Sequence, residues 1–180
     1  FGVDIVSSGN LITQFDALWS KKQYEENIPV ANLLTDIVVR CFAHIKNKIS
    51  NDLSVTEYDI QQLIMNEFAE KNYFTDHPPI VAVNENSANP HYAPTETVFK
   101  PIKKNDFVLI DLWAKVNTEE GVWSDITWVG FVGETVPQKY IDIFNIVKDA
   151  RDSAFEFVSE RFKNNLPVKA YEVDDVARGV

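Results

Sequence analysis

Two aspartates carry the strongest chemical signal in this chain. Asp111 lies in Phe107-Val-Leu-Ile-Asp111-Leu-Trp-Ala-Lys115, and Asp125 in Val122-Trp-Ser-Asp125-Ile-Thr-Trp-Val-Gly-Phe-Val132. Both runs are β-branched and aromatic, so both are predicted strands. A carboxylate buried there as an anion is costly. Two neighbouring carboxylates also repel unless a positive group lies between them. The pair therefore points to bound cations. The midpoint of the two aspartates is Thr118, inside the polar turn Asn117-Thr-Glu-Glu-Gly121. A hairpin centred there sets the aspartates directly opposite each other, with Cβ atoms about 4.5–5.5 Å apart. A bulge moves them to a diagonal. Either arrangement can share two cations roughly 3.5–4 Å apart. Taken singly, a strand aspartate is more often exposed or bonded to backbone amides. The plausible register and the flanking Trp113, Trp123 and Trp128 favour the metal reading.

Thr127 follows Asp125 by two and shares its strand face. Its hydroxyl can bond to a metal-bound carboxylate, although a β-favouring residue is the plainer reading. His91, in Asn89-Pro-His91-Tyr, is expected on a loop before the strands, as a substrate contact or proton carrier. An exposed loop histidine is the plain alternative. His77 precedes Pro78-Pro79 and reads as a turn residue. His44 has Arg40 and Lys48 four residues either side and reads as structural. Cys41 is the only cysteine, which excludes an intrachain disulfide. Its neighbours Val38, Val39 and Phe42 indicate a buried thiol with a raised pKa, not a nucleophile.

These residues need positioning elements. Residues 1–19 are short and mixed, with Val3, Ile5 and Val6 as a candidate extended segment. A helix is predicted from Ser20 to Ile49, on Ile28, Leu33, Leu34, Ile37, Val38, Cys41, Phe42 and Ile45. Pro29 marks a dent or a boundary in it. Ser54-Val-Thr-Glu57 matches a capping box and opens a second helix, ending near Asn72. Ile80–Val83 is a short strand, and Asn84–Thr97 a polar, turn-rich loop. After the aspartate strands, Pro137 starts a helix whose apolar face runs from Tyr140 to Phe162. Tyr171-Glu-Val-Asp-Asp-Val-Ala-Arg178 begins another.

At 180 residues the chain fits one ordinary domain or part of a larger one. Its 45% hydrophobic and 12% aromatic content supports a real core and argues against disorder. It has 17 basic and 27 acidic residues and no basic cluster, so nucleic acid and anionic membranes are unexpected partners. No apolar run reads as a transmembrane helix, and no signal peptide is visible. The lone cysteine fits a reducing compartment, and the cytoplasm is the expected location. The chain opens on Phe1 rather than Met, and its final helix stops after about two turns, so both ends are expected to be cut.

The motifs Asp76-His-Pro-Pro-Ile-Val-Ala-Val-Asn-Glu-Asn-Ser-Ala-Asn-Pro-His91-Tyr, Val-Leu-Ile-Asp111-Leu-Trp-Ala-Lys and Ser-Asp125-Ile-Thr-Trp together resemble the pita-bread metallopeptidases. These include Xaa-Pro aminopeptidases, prolidases, creatinases and methionine aminopeptidases, and the Xaa-Pro branch is the nearest. The likeness runs from about residue 20 to the end. It implies an α/β (α+β) pita-bread creatinase/aminopeptidase fold, present as roughly its first half. Residues 1–19 would be a linker or the end of a preceding segment, and residues 20–180 the first half of the catalytic domain. It also implies two divalent metal ions held by two Asp, one His and two Glu. Manganese is the first expectation; cobalt, zinc and iron are alternatives. Asp111 and Asp125 carry over as metal ligands, the first terminal and the second bridging. His91 matches the family's substrate-binding histidine.

Three departures stand out. The 14-residue separation of the aspartates is longer than in many relatives, Trp128 stands where many Xaa-Pro enzymes have an arginine, and no histidine follows His91. The expected activity is metal-dependent cleavage of Xaa-Pro peptides or dipeptides, with this chain alone inactive. A non-catalytic pita-bread binding module and a creatinase-like C–N hydrolase are the rival readings. A peptide substrate is the expected partner, and a homodimer is left open.

Overall fold

A computed structural model describes Gly2 and residues 7–180. The proposed extended segment at Val3, Ile5 and Val6 lies outside the described residues. The described elements run α1 (Gly9–Asp16), α2 (Lys21–Ser50), α3 (Glu57–Glu70), β1 (Tyr73–Phe74), β2 (Ile80–Val83), a 3-10 turn (Asn84–Ala88), β3 (Phe107–Val116), β4 (Ser124–Phe131), α4 (Gln138–Lys163) and α5 (Ala170–Arg178). They form two compact units, Phe1–Val132 and Gly133–Val180.

In the first unit β3 is the central strand. β4 pairs antiparallel with one edge; β1 and β2 pair antiparallel with the other. Along β3 the residues alternate. Val108, Ile110, Leu112 and Ala114 are buried, while Phe107, Leu109, Asp111, Trp113 and Lys115 are only half-buried. The buried set shares one core with Val30, Leu34, Ile37, Val38, Cys41 and Ile45 of α2 and Ile60, Ile64 and Phe68 of α3. Fully burying each large apolar side chain stabilises the fold by roughly 1.5–3 kcal/mol. At Gly130 of β4 the backbone approaches α2 closely, since a Cβ there would lie 2.5 Å from Phe42 Cε1. The aspartates are thus displayed on the sheet face turned away from α2 and α3.

Helix α2 starts where predicted. Ser20 caps it by accepting from the Gln23 amide, and Gln23 returns the bond to the Ser20 N–H. Pro29 lies inside the helix without ending it. Three expectations need correction. Helix α1 occupies part of a stretch read as irregular. The capping box of α3 is Thr56 with Asp59, not Ser54 with Glu57; each side chain bonds the other's backbone amide. Asp59 stands three residues after Thr56 and serves the box as well as a glutamate does, which frees Glu57 for another role. Third, α2 contains an 18-residue window long and apolar enough to cross a membrane by length and composition. Its buried side chains lie in the core instead.

In the second unit, Pro137 precedes α4 as expected. Helix α5 packs against α4, with an Arg161–Glu172 ion pair at 3.4 Å.

Candidate metal centre

The β3–β4 register decides how the carboxylates meet. Asp111 lies opposite Thr127, and Asp125 opposite Trp113. The direct pairing of Asp111 with Asp125 is therefore corrected to a diagonal, by a register shift of two without a bulge. The reason lies in the connection. Its Val116–Gly121 segment closes on itself through Thr118 N–H to Val116 O (2.7 Å) and Gly121 N–H to Thr118 O (3.2 Å). Helix α2 holds the rest: Gln23 Nε2 donates to Glu120 O at 3.1 Å and Asn27 Nδ2 to Val122 O at 3.1 Å. A shift of two leaves every side chain on its original face, so Asp111, Asp125 and Thr127 stay together. Diagonal neighbours are about 7–8 Å apart at Cα and somewhat closer at Cβ.

Thr127 Oγ1 donates to Asp111 Oδ1 at 2.6 Å. The hydroxyl thus holds the Asp111 carboxylate rather than that of Asp125 in its own strand. Asp125 is exposed, yet burial of its carboxyl by the surrounding site and the neighbouring Asp111 charge both raise its pKa. A cation between the two carboxylates would relieve that destabilisation. Their all-oxygen donor set suits hard divalent ions. Among the described residues no group of three or more His, Cys, Asp or Glu is placed to hold a metal. The aspartates thus fit a metal as part of a ligand set, not as a whole one.

Trp113, opposite Asp125, is half-buried and pinned: its indole N–H donates to Asp76 Oδ1 at 2.6 Å. That bond, ahead of smaller contributions from His77, holds the Asp76 carboxyl below the usual range. Trp128 pairs with Ile110 and so lies on the opposite sheet face from both aspartates. A side chain at 128 does not share their surface. His77 is exposed beside Asp76, in the expected turn. Cys41 is fully buried, and desolvation pushes its thiol up to about 12, as an inert core residue requires.

His91 is exposed on the connection between β2 and β3, and its backbone N–H donates to Asn89 Oδ1 at 3.0 Å. The two ends of this connection are tied. Asn84, in the left-handed region at φ 51, donates from Nδ2 to Asp106 Oδ1 (2.8 Å) and accepts from the Phe107 N–H (3.0 Å). Its middle is held by Glu57, which is fully buried. Oε1 accepts from the Val83 N–H (2.7 Å) and Asn86 Nδ2 (2.9 Å); Oε2 accepts from Tyr92 Oη (2.5 Å) and the Lys100 N–H (2.6 Å). Sequence reasoning missed Glu57 because it read the residue as a cap. The rival box Thr56-x-x-Asp59 was the available signal that this glutamate had no capping work to do.

Residues 28–180 match the sequence model of metallopeptidase family M24. A Mycoplasma genitalium protein provisionally named an Xaa-Pro aminopeptidase is 33% identical over 131 residues, covering 70% of this chain. The chain spans about a third of that relative's length, 33%. Among solved structures, an X-prolyl aminopeptidase from Caenorhabditis elegans, described as a cytosolic enzyme with a di-nuclear active site, superposes with a TM-score of 0.68 at 18% identity. That match covers 80% of this chain and 23% of the other. An X-Pro aminopeptidase from Thermotoga maritima gives a TM-score of 0.59 at 23% identity, covering 82% and 38%. A dipeptidase from Mycobacterium ulcerans gives 0.61 at 16%, covering 83% and 37%. The mixed helix-and-sheet architecture is thus that of the pita-bread X-Pro aminopeptidases, matched over part of their length.

Proposed function

This chain belongs to metallopeptidase family M24, and we propose that it supplies half of the active site of a peptidase acting on Xaa-Pro peptides or dipeptides. In this reading residues 20–180 are the first half of the catalytic domain, and residues 1–19 a linker or the end of a preceding segment. The reading rests above all on the Asp111–Thr127–Asp125 cluster on the sheet face opposite α2 and α3.

Asp111 and Asp125 would hold two divalent ions, manganese first and cobalt, zinc or iron as alternatives. Bound there, such ions polarise a peptide carbonyl and lower the pKa of water towards neutrality. The chain's own residues do the rest. Thr127 fixes the Asp111 carboxylate and leaves its second oxygen available. Trp113, held by Asp76, stands opposite Asp125 across the ladder. His91 would orient the peptide from the β2–β3 connection. The cytoplasm is the proposed location, on the single buried cysteine and the cytosolic relative.

A polypeptide carrying both halves of the family's fold tests this. It should hydrolyse an Xaa-Pro dipeptide with manganese or cobalt, and Asp111→Ala should bring the rate to background. The 180-residue chain alone should bind metal weakly and show no turnover, since two carboxylates complete neither coordination sphere. Full activity in the Asp111→Ala enzyme removes Asp111 from the site. A longer protein that binds no metal is a binding module. One that turns over creatine but no dipeptide is a C–N hydrolase.

A further inference from the structure

Glu57 lies on a helix away from the proposed metal ligands, yet all four of its side-chain bonds go to one segment. The Val83 amide lies where that segment leaves β2, Asn86 lies in the 3-10 turn, Tyr92 directly follows His91, and the Lys100 amide lies beyond it. The reverse bond also forms, from the Glu57 N–H to Lys100 O at 3.0 Å, and Thr56 bridges to Pro101. We propose that Glu57 is a positioning residue that clamps the 83–100 segment and so sets where His91 meets the substrate. This deepens the peptidase reading and rests on it for the role of His91.

The physics favours a clamp over incidental burial. An unpaired buried carboxylate is strongly penalised, and four donors on two oxygens offset that penalty only while the segment keeps its shape. The carboxylate also stands at the first residue of α3, where the helix dipole favours an anion. Burial, then the Glu57 carboxylate, push the Tyr92 phenol up, so Tyr92 stays protonated and donates. Bonds to an ionised acceptor are shorter and stronger than neutral ones. Tyr92 is the immediate neighbour of His91, so its bond to Glu57 holds the part of the segment that carries His91.

Two measurements test the clamp. In the 180-residue chain, hydrogen exchange at the Val83 and Lys100 amides reads Glu57 directly. Glu57→Gln keeps the shape but turns an NH2 towards two of the four donors, and Tyr92→Phe removes one bond only. Both should speed exchange at Lys100 by about tenfold or more while the β3 amides of Ile110 and Leu112 stay unchanged. In the longer peptidase, Tyr92→Phe should raise KM for an Xaa-Pro dipeptide with little change in kcat, and should add nothing in a His91→Ala background. Unchanged exchange at Val83 and Lys100 in Glu57→Gln overturns the clamp. A KM rise of equal size with and without His91 overturns its action through His91. If His91→Ala leaves KM unaltered, the substrate role of His91 fails and the positioning claim fails with it. The exchange data then still show whether Glu57 holds the segment. If no variant and no wild-type enzyme turns over, the peptidase reading fails, and the exchange result alone decides the clamp.

Discussion

Thr127 Oγ1 donates to Asp111 Oδ1 at 2.6 Å across the β3–β4 ladder, while Asp125, two residues earlier on the same strand, lies on the diagonal. One hydroxyl therefore fixes one of the two carboxylates, and among the described residues the other has no such partner. The asymmetry suits a site in which the two carboxylates do different work.

Thr127→Val removes that bond with little change in volume. Loss of such an outer partner typically costs 10–100-fold in metal affinity. Manganese titration of the longer protein followed by calorimetry should show a drop in that range, with the thermal midpoint of the metal-free protein little altered. Unchanged affinity would leave Thr127 as a strand residue only.

Asp125 gives a pH prediction for the metal-free chain. Its folded pKa is raised, so the folded state binds the proton more tightly than the unfolded state. Stability then falls as pH rises from the ordinary aspartate value, 3.8, through the raised value, and the penalty is fully present above it. Asp125→Asn should stabilise the chain at neutral pH, and the gain should vanish in acid. Urea unfolding of both proteins between about pH 3 and pH 7 checks the sign. A gain that persists undiminished at the acid end would mean that the carboxylate charge is not its source.

Cys41 should be chemically silent in the folded chain. Its thiol is fully buried and pushed up to about 12. A thiol-specific chromogenic reagent at pH 8 should label it only at the rate of unfolding, and fully in denaturant. Rapid native labelling would place Cys41 nearer the surface than the core packing does. Stability should also decline above the unfolded thiol value, 9.0, because the unfolded chain ionises there while the folded chain resists.

Much of the fold was legible along the chain. The apolar repeats of α2 and α3, the alternation of β3 and Pro137 before α4 each follow from local rules about period and backbone geometry. The two-residue strand β1 carried no usable signal. It exists because Tyr73 and Phe74 meet Val116 and Lys115, remote in sequence. Helix α1 was missed because its apolar residues Leu11, Ile12 and Phe15 stay exposed, so no core face announced it.

The amino-acid sequence by itself determined which residues share the carboxylate face, because strand alternation assigns each side chain to a side whatever its exact partner. It also marked Cys41 for the core and kept His91 on a loop. It did not determine the partner of Asp111. Pairings with Asp125 or with Thr127 differ by two residues, and the hydrophobic pattern is blind to a shift of two. The choice was made by bonds from Gln23 and Asn27 of α2 to the distant Glu120–Trp123 turn. Nor did it determine the role of Glu57. Local rules offered it a helix cap; only the folded chain brings Val83, Asn86, Tyr92 and Lys100 around its carboxylate. A buried charge takes its meaning from its partners, and here every one of them is supplied by tertiary structure.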